Sequence, residues 1–329
     1  MDSLAIALPT FFGSAVMVVL AGVALARYGD ELAEHTGWGH LWVGTILVSV
    51  ATSLPELVTN VSATAIGAVP LALGNIFGAD MLNMWTISLI ALVFGIERLF
   101  SGHGTSTQRL ALVAIVVAVL AVGMVAIDDV ALGRYSVGAV GIAVVYVVGM
   151  RLVYKASQKE SHASKDAPSG GGNGRSAWLG FGGAALVIAI ASPFLAISAD
   201  GIAEATGVAS SFMGVLAVAM VTTLPEASVG IAAARRRAYG LVLGNVYGSC
   251  AFNIAIVSFI EPVHARPVLE SMVSEHFIAG GMAVLLMVMG LLVLRSYRTR
   301  TMGWLRGLVP LIAVAYPAGM LWVFLAARG

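Results

Sequence analysis

The sequence predicts an all-α integral membrane protein of ten transmembrane helices, built as two inverted five-helix repeats with proline-interrupted helices 2 and 7. Three observations lead there. The 329 residues are 59% hydrophobic and only 11% charged, with a mean hydropathy of +0.94, whereas soluble domains carry roughly 25% charged residues. The apolar residues run in long unbroken stretches, several exceeding the ~18–20 residues that cross a hydrocarbon core. The second half of the chain also repeats the first at a fixed offset of 170 residues.

In chain order the spans are 4–26, 41–66, 71–97, 108–127, 133–154, 177–203, 211–234, 240–261, 275–296 and 304–326. The first is too long for a signal-peptide core and lacks a basic segment ahead of it, so it reads as a retained helix. Between the fifth and sixth spans, Ala156–Arg175 is polar and rich in Gly and Ser, the composition of a flexible, solvated tether. The organisation is therefore a first repeat at 1–155, a linker at 156–176 and a second repeat at 177–329. The single cysteine, Cys250, lies in an apolar stretch, which excludes a disulfide framework and a CxxC metal site.

The repeat is specific. Asp30, Ala33, Glu34, Thr36 and Gly37 recur as Asp200, Ala203, Glu204, Thr206 and Gly207. TSLPE at 52–56 recurs as TTLPE at 222–226, and LALGNIFGADMLN at 71–83 as LVLGNVYGSCAFN at 241–253. Shared apolar composition scatters matches; it does not align Pro-Glu, Gly-Asn and Asn at one offset. Five spans per half is an odd number, so the second half enters the membrane in the opposite sense. The basic residues agree with this. Arg27, Arg98, Arg109, Arg151, Lys155, Lys159, Lys165, Arg175, Arg235, Arg236, Arg237, Arg295, Arg298, Arg300 and Arg306 fall on one side, against Arg134, Arg266 and Arg328 on the other. Because basic loops stay cytoplasmic, the linker is expected in the cytoplasm and both termini outside.

Inverted repeats with broken helices are the build of secondary transporters, which bind substrate near the midplane between the repeats. Pro55 and Pro225 lie mid-span. Each lacks an N–H and clashes with the carbonyl four residues earlier, so the carbonyls of Ala51 and Val221 are freed to turn toward a cation. Glu56 and Glu226 follow directly. A carboxylate at this depth faces a bundle interior or cavity and marks an ion pathway, unless a basic partner neutralises it, and no Lys or Arg occupies the central turns of any span. Thr52, Ser53, Thr222 and Thr223 add hydroxyls one turn earlier; these can also bond back to their own helix. Carboxylate, hydroxyl and carbonyl oxygens suit hard cations such as Ca²⁺ or Na⁺. Gly74 with Gly78, and Gly244 with Gly248, are spaced for close helix approach in lipid. Asn83 and Asn253 each lie 27 residues after a glutamate, and either complete the ligand set or bond between helices.

The paired TSLPE/TTLPE and GNIFGADMLN/GNVYGSCAFN segments resemble the two alpha-repeats of the cation/calcium exchanger superfamily, which includes the sodium/calcium exchangers. The resemblance implies a diamond of ligands from helices 2, 3, 7 and 8, with helices 1 and 6 sliding as a gate. By motif position the ligands are Thr52, Ser53, Glu56 and Asn83, with Thr222, Thr223, Glu226, Ser249 and Asn253. The chain departs from the pattern at Ala51 and Val221, where a glycine is usual, at Ala79, which removes a hydroxyl, and at Asn253, often an aspartate. Asp80 is an acid the pattern does not contain, and its repeat mate is Cys250; it either ligates or lines the cavity.

What the resemblance implies is a secondary-active antiporter of the cytoplasmic (inner) membrane exchanging Ca²⁺ against Na⁺ by alternating access. An H⁺-coupled Ca²⁺ exchanger, or an exchanger of another divalent cation, is the alternative on the same scaffold. The partners are then inorganic cations and the lipid bilayer, with no cofactor, no nucleic acid and the oligomeric state left open. A channel is disfavoured by an oxygen cage between inverted repeats. An enzyme is disfavoured because neither HExxH nor GxSxG occurs. The histidines, at 35, 40, 103, 162, 264 and 276, fall at or beyond span ends and are expected at the surface.

Overall fold

The computed structural model describes residues 4–36, 49–124, 131–132, 135–161, 174–299 and 302–328. Helix α1 spans Leu4–Thr36. A short α2 (Ser49–Thr52) is followed by α3 (Leu54–Ala65), then α4 (Val69–Phe94), a one-turn α5 (Ile96–Phe100) and α6 (Thr105–Met124). A two-residue antiparallel pair, β1 (Ala131–Leu132) with β2 (Tyr135–Ser136), precedes α7 (Val137–Ser161). The second half begins with α8 (Gly174–Thr206), α9 (Ser210–Met213), a π-helical turn at Gly214–Val218 and α10 (Ala219–Thr222). It continues through α11 (Leu224–Arg235), α12 (Tyr239–Ile260), α13 (Ser274–Thr299) and α14 (Leu308–Ala326).

The helix bounds themselves repeat at the sequence offset. Leu4–Thr36 maps onto Gly174–Thr206, Ser49–Thr52 onto Ala219–Thr222, and Leu54–Ala65 onto Leu224–Arg235. The turn after α3 recurs bond for bond. Gly67 N–H donates to the Thr64 carbonyl and Ala68 N–H to Ala63, as Arg237 N–H does to Ala234 and Ala238 N–H to Ala233. Such a cap needs a left-handed residue. Gly67 supplies it with φ 86°, whereas the second copy holds Arg237 at φ 60°.

Among the described residues eight helices are long and apolar enough to cross a membrane, or nine if the pair Ser210–Thr222 with Leu224–Arg235, bent by 44°, is counted as one span. The expected second span begins at residues 41–48, outside the described residues. Several helices exceed their expected ends: α1 runs ten residues past Ala26, and α7 continues to Ser161, so the first residues of the expected linker are helical. Residues 162–173 lie outside the described residues. The small β1–β2 hairpin is the one departure from an all-helical chain among the described residues.

Two helices make the centre. Within their apolar windows, 89% of the α12 span and 72% of the α4 span are buried, against 33% for α1, α7, α8 and α14. Outer helices instead present large apolar side chains, such as Phe12, Leu20, Val147, Leu179 and Trp322. In water such patches signal a binding face; around a bundle of spanning helices they are the surface that lipid covers. Small residues let the central helices close in. A Cβ on Gly74 would lie 2.2 Å from the Ser211 carbonyl oxygen, and one on Gly78 2.3 Å from that of Val215. So α4 touches the backbone of α9 and the π-helical turn directly. The two long helices α1 and α8 pack along each other, with Gly180 on α8 against the Tyr28 ring of α1.

Candidate cation site

The chain breaks twice at the bundle centre. Ser53 interrupts α2 and α3, Thr223 interrupts α10 and α11, and in each case proline is the second residue of the helix that restarts. With no N–H on Pro55 or Pro225, the carbonyls of Ala51 and Val221 have no intrahelical donor four residues on. The restart also puts Glu56 and Glu226 in a first helical turn, where the macrodipole favours negative charge.

The two breaks exchange partners. Ser53 Oγ donates to Glu226 Oε1 at 3.0 Å, and Thr223 Oγ1 to Glu56 Oε1 at 3.4 Å. Thr52 Oγ1 lies 3.4 Å from Asn245 Oδ1, and Thr222 Oγ1 lies 3.1 Å from Asn75 Oδ1. Each pair maps onto the other at the repeat offset, so the site has the two-fold pseudosymmetry of the duplication. The threonines bond back to their own helix as well, Thr52 to the Ser49 carbonyl at 3.1 Å and Thr222 to that of Ala219 at 3.5 Å. All these side chains are buried, Glu56 at 0% and Glu226 at 1% exposure.

What the arrangement lacks is positive charge. The second oxygen of each glutamate, Oε2, has no hydrogen-bond partner. Arg27 and Glu31 pair at 3.2 Å, but on exposed side chains of α1. A buried, unneutralised carboxylate pair is expensive; a cation between the repeats would offset that cost.

The remaining sequence candidates fall around this pair. Asn253 Nδ2 donates to Asp80 Oδ1 at 3.1 Å, so Asp80 is tied across the repeats. Asn83 is fully buried with neither amide atom partnered. Ser249 is fully buried and faces Glu226. Among the described residues no three His, Cys, Asp or Glu side chains gather into a metal cage, so any ion held here depends on hydroxyl, amide and carbonyl oxygens beside two acids.

Five polar residues escaped the sequence reading. Asn75 and Asn245 serve the breaks: Asn245 Nδ2 donates to the Glu226 carbonyl at 3.1 Å, and Asn75 Nδ2 to Asn60 Oδ1 at 2.8 Å. Asn60, with Thr59 and Thr64, continues a buried polar face along α3 beyond Glu56. Thr59 and Thr64 keep hydroxyls without partners. The matching face of α11 carries Val229, Gly230 and Ala234, so the pseudosymmetry ends one turn past the glutamates. The signal available was the spacing of Glu56, Asn60 and Ala63–Thr64 at helical intervals. One histidine also departs from its expected surface position: His276 is fully buried, its Nδ1 accepting from Val273 N–H at 3.0 Å and its Nε2 lying 2.9 Å from the Pro70 carbonyl.

Comparison with known proteins gives a consistent picture. The family model described as sodium/calcium exchanger protein matches residues 6–155 and again 176–325. The inner membrane protein YrbG of Escherichia coli is 27% identical over 249 residues, 74% of this chain and 75% of that protein. The putative antiporter CaxA of Alkalimonas amylolytica is 24% identical over 294 residues, 83% of this chain and 89% of that protein. Among solved structures, the sodium-calcium exchanger NCX_Mj soaked with 2.5 mM Na⁺ and 0.1 mM Sr²⁺ superposes with a TM-score of 0.62 at 19% identity, covering 97% of this chain and 99% of that one. Native YfkE gives 0.67 at 18% identity, over 96% and 92%. At such identities the likeness to these structures is one of fold.

Proposed function

The chain belongs to the sodium/calcium exchanger protein family, and from that premise we propose that it is a secondary-active antiporter exchanging Ca²⁺ for Na⁺ by alternating access. The single observation that carries the reading is the reciprocal pair, Ser53 on Glu226 and Thr223 on Glu56, with an unpartnered Oε2 left on each acid. Two carboxylates balance one divalent cation or two monovalent ones. Occupancy by either excludes the other, and that exclusivity couples the two fluxes. Thr52, Ser53, Thr222, Thr223, Ser249, Asn83 and Asn253 supply neutral oxygens around the pair, as a hard cation requires.

The gate is α1 with α8. A Cβ on Gly22 of α1 would lie 2.3 Å from Pro225 Cγ and 3.6 Å from Pro55 Cγ. One helix thus rests on both prolines, and its movement opens the site to one side at a time. The protein is a multi-pass membrane protein; both termini are proposed outside, with the linker at 156–176 in the cytoplasm.

An H⁺-coupled mechanism uses the same two acids, since two protons satisfy them as two Na⁺ do. Purified protein in proteoliposomes, given Ca²⁺ inside and either a Na⁺ or an H⁺ gradient, separates the two. Ca²⁺ efflux driven by inward Na⁺ at clamped pH is the expected result. Efflux driven only by the proton gradient would transfer the coupling to H⁺, and Ca²⁺ flux indifferent to both gradients would reject antiport.

A further inference from the structure

The repeat-mate amides Asn75 and Asn245 meet the site threonines in the same way but are held differently. Thr222 Oγ1 donates to Asn75 Oδ1 at 3.1 Å, and Thr52 Oγ1 to Asn245 Oδ1 at 3.4 Å. On its other side, Asn245 Nδ2 donates to the Glu226 carbonyl at 3.1 Å. Asn75 Nδ2 donates instead to a side chain, Asn60 Oδ1, at 2.8 Å. Asn60 stands one turn after Glu56 on α3, and its repeat mate on α11 is Gly230, which has no side chain to offer. Asn60, Asn75 and Thr222 are all fully buried, so bulk water does not stand in for a lost bond.

The two threonine hydrogens also differ in their alternatives. Thr52 Oγ1 lies 3.1 Å from the Ser49 carbonyl of its own helix, closer than it lies to Asn245. Thr222 Oγ1 lies 3.5 Å from the Ala219 carbonyl, a long and weak contact for a hydroxyl. Thr52 can therefore place its hydrogen without the amide, whereas Thr222 depends on Asn75. An asparagine amide has an accepting and a donating end of nearly equal shape. Its other bonds decide which end meets the hydroxyl. For Asn245 that other bond goes to a carbonyl, which can only accept. For Asn75 it goes to Asn60.

We propose that Asn60 is a positioning residue for the cation site. By holding Nδ2 of Asn75 it keeps Oδ1 on Thr222, and so keeps both lone pairs of the Thr222 hydroxyl free for the ion. The inference rests on the antiporter reading, which places Thr222 among the ligands. Without Asn60, the Asn75 amide turns over and its Nδ2 donates to Thr222. One lone pair is then spent, and an N–H dipole opposes the cation. Ca²⁺ is sensitive to this loss because it takes about six to eight oxygen ligands. The two halves of the site are thus unequal, although their threonines match.

The test is a double-mutant cycle read in Ca²⁺ binding to the purified full-length protein, with exchange measured on the same preparation. Asn60→Leu nearly keeps the side-chain volume and removes the acceptor. It should weaken Ca²⁺ binding about tenfold, the scale of one unsatisfied buried polar group. In a Thr222→Val background the same change should cost less than about twofold, because the hydroxyl it acts on is gone. In a Thr52→Val background the loss should stay at about tenfold, since that hydroxyl is oriented independently. A merely structural role would give equal losses in the two backgrounds. Equal losses overturn the proposal, as does unchanged binding in Asn60→Leu. If Asn60→Leu does not fold, Asn60→Gly, which copies the second repeat, goes through the same cycle with the same criteria. Wild-type protein that exchanges Ca²⁺ while the cycle shows no coupling rejects only the role of Asn60. Wild-type protein that neither binds nor exchanges Ca²⁺ rejects the antiporter reading, and this role with it.

Discussion

Glu56 and Glu226 each have one oxygen bonded across the repeat boundary and one that is free. Replacing either with glutamine keeps the shape and removes the charge that a cation needs. Glu56→Gln and Glu226→Gln are each expected to abolish exchange, a loss of at least a hundredfold in proteoliposome flux, while the protein still elutes as a folded, monodisperse species. Transport at a near wild-type rate in either variant would move the site elsewhere. A second residue-scale expectation concerns Arg237. It holds the left-handed position that Gly67 fills in the first repeat, and a side chain there costs about 1–2 kcal/mol, partly offset by the greater chain entropy that glycine loses on folding. Arg237→Gly is therefore expected to stabilise by up to ~1 kcal/mol, seen as a higher midpoint in thermal unfolding. An unchanged or lower midpoint would mean that the Arg237 side chain makes compensating contacts.

At the scale of elements, the crossing of α4 over α9 and the π-helical turn decides how closely the repeats approach. Gly78 leaves no room for a Cβ against the Val215 backbone, and Gly214 meets the Leu71 carbonyl in the same way, 2.2 Å from an added Cβ. Backbone cannot move aside as a side chain end does, so overpacking here displaces a whole helix. Gly78→Ala is expected to destabilise by at least ~1–3 kcal/mol and to lower the thermal midpoint well beyond what Gly123→Ala does. A Cβ at Gly123 meets nothing within 4 Å, so this variant serves as the control. Equal midpoints in the two variants would contradict the close crossing. The G-N-x-x-G spacing in the sequence already marks this crossing, yet it does not say which helix fills the groove; the contact with Ser211–Val215 depends on the second repeat folding over the first.

For the molecule as a whole, the two halves meet through the site and through α1 with α8, so the tether between them has a limited task. Glu160, near the end of α7, accepts from the Thr105 and Ser106 N–H groups at 2.7 and 3.2 Å and from both hydroxyls, capping α6 from outside. A replacement that begins after Ser161 spares this cap. Exchanging residues 162–173 for a Gly/Ser tether of equal length is expected to leave exchange within about twofold of wild type; loss of flux with normal folding would give the segment a role. The inverted arrangement is tested by single cysteines placed on a Cys250→Ala background. A cysteine at position 2 should react with an impermeant maleimide from outside, and one at position 165 only after the membrane is opened. Labelling of both from the same side of intact cells would break the inverted topology.

The sequence by itself determined the duplication, the membrane-spanning composition, the two Pro-Glu breaks and the hydroxyls beside them. Each of these rests on short-range chemistry: a proline lacks its N–H wherever it stands, and an apolar stretch of ~20 residues has few ways to be satisfied other than in lipid. It also carried the family resemblance in the two repeat motifs. Only the tertiary structure decided who bonds with whom. That Ser53 serves Glu226 and Thr223 serves Glu56, each across the repeat boundary, does not follow from any spacing. The partners lie 173 and 167 residues apart, and the contact exists because the two halves interlock. The same holds for Asp80, whose partner Asn253 comes from the other repeat, and for the polar face at Thr59, Asn60 and Thr64. In sequence that face looks like ordinary helix polarity. Packing α3 against its neighbours leaves those groups buried and two of the hydroxyls unbonded, because burial is a property of the assembled bundle and not of one helix.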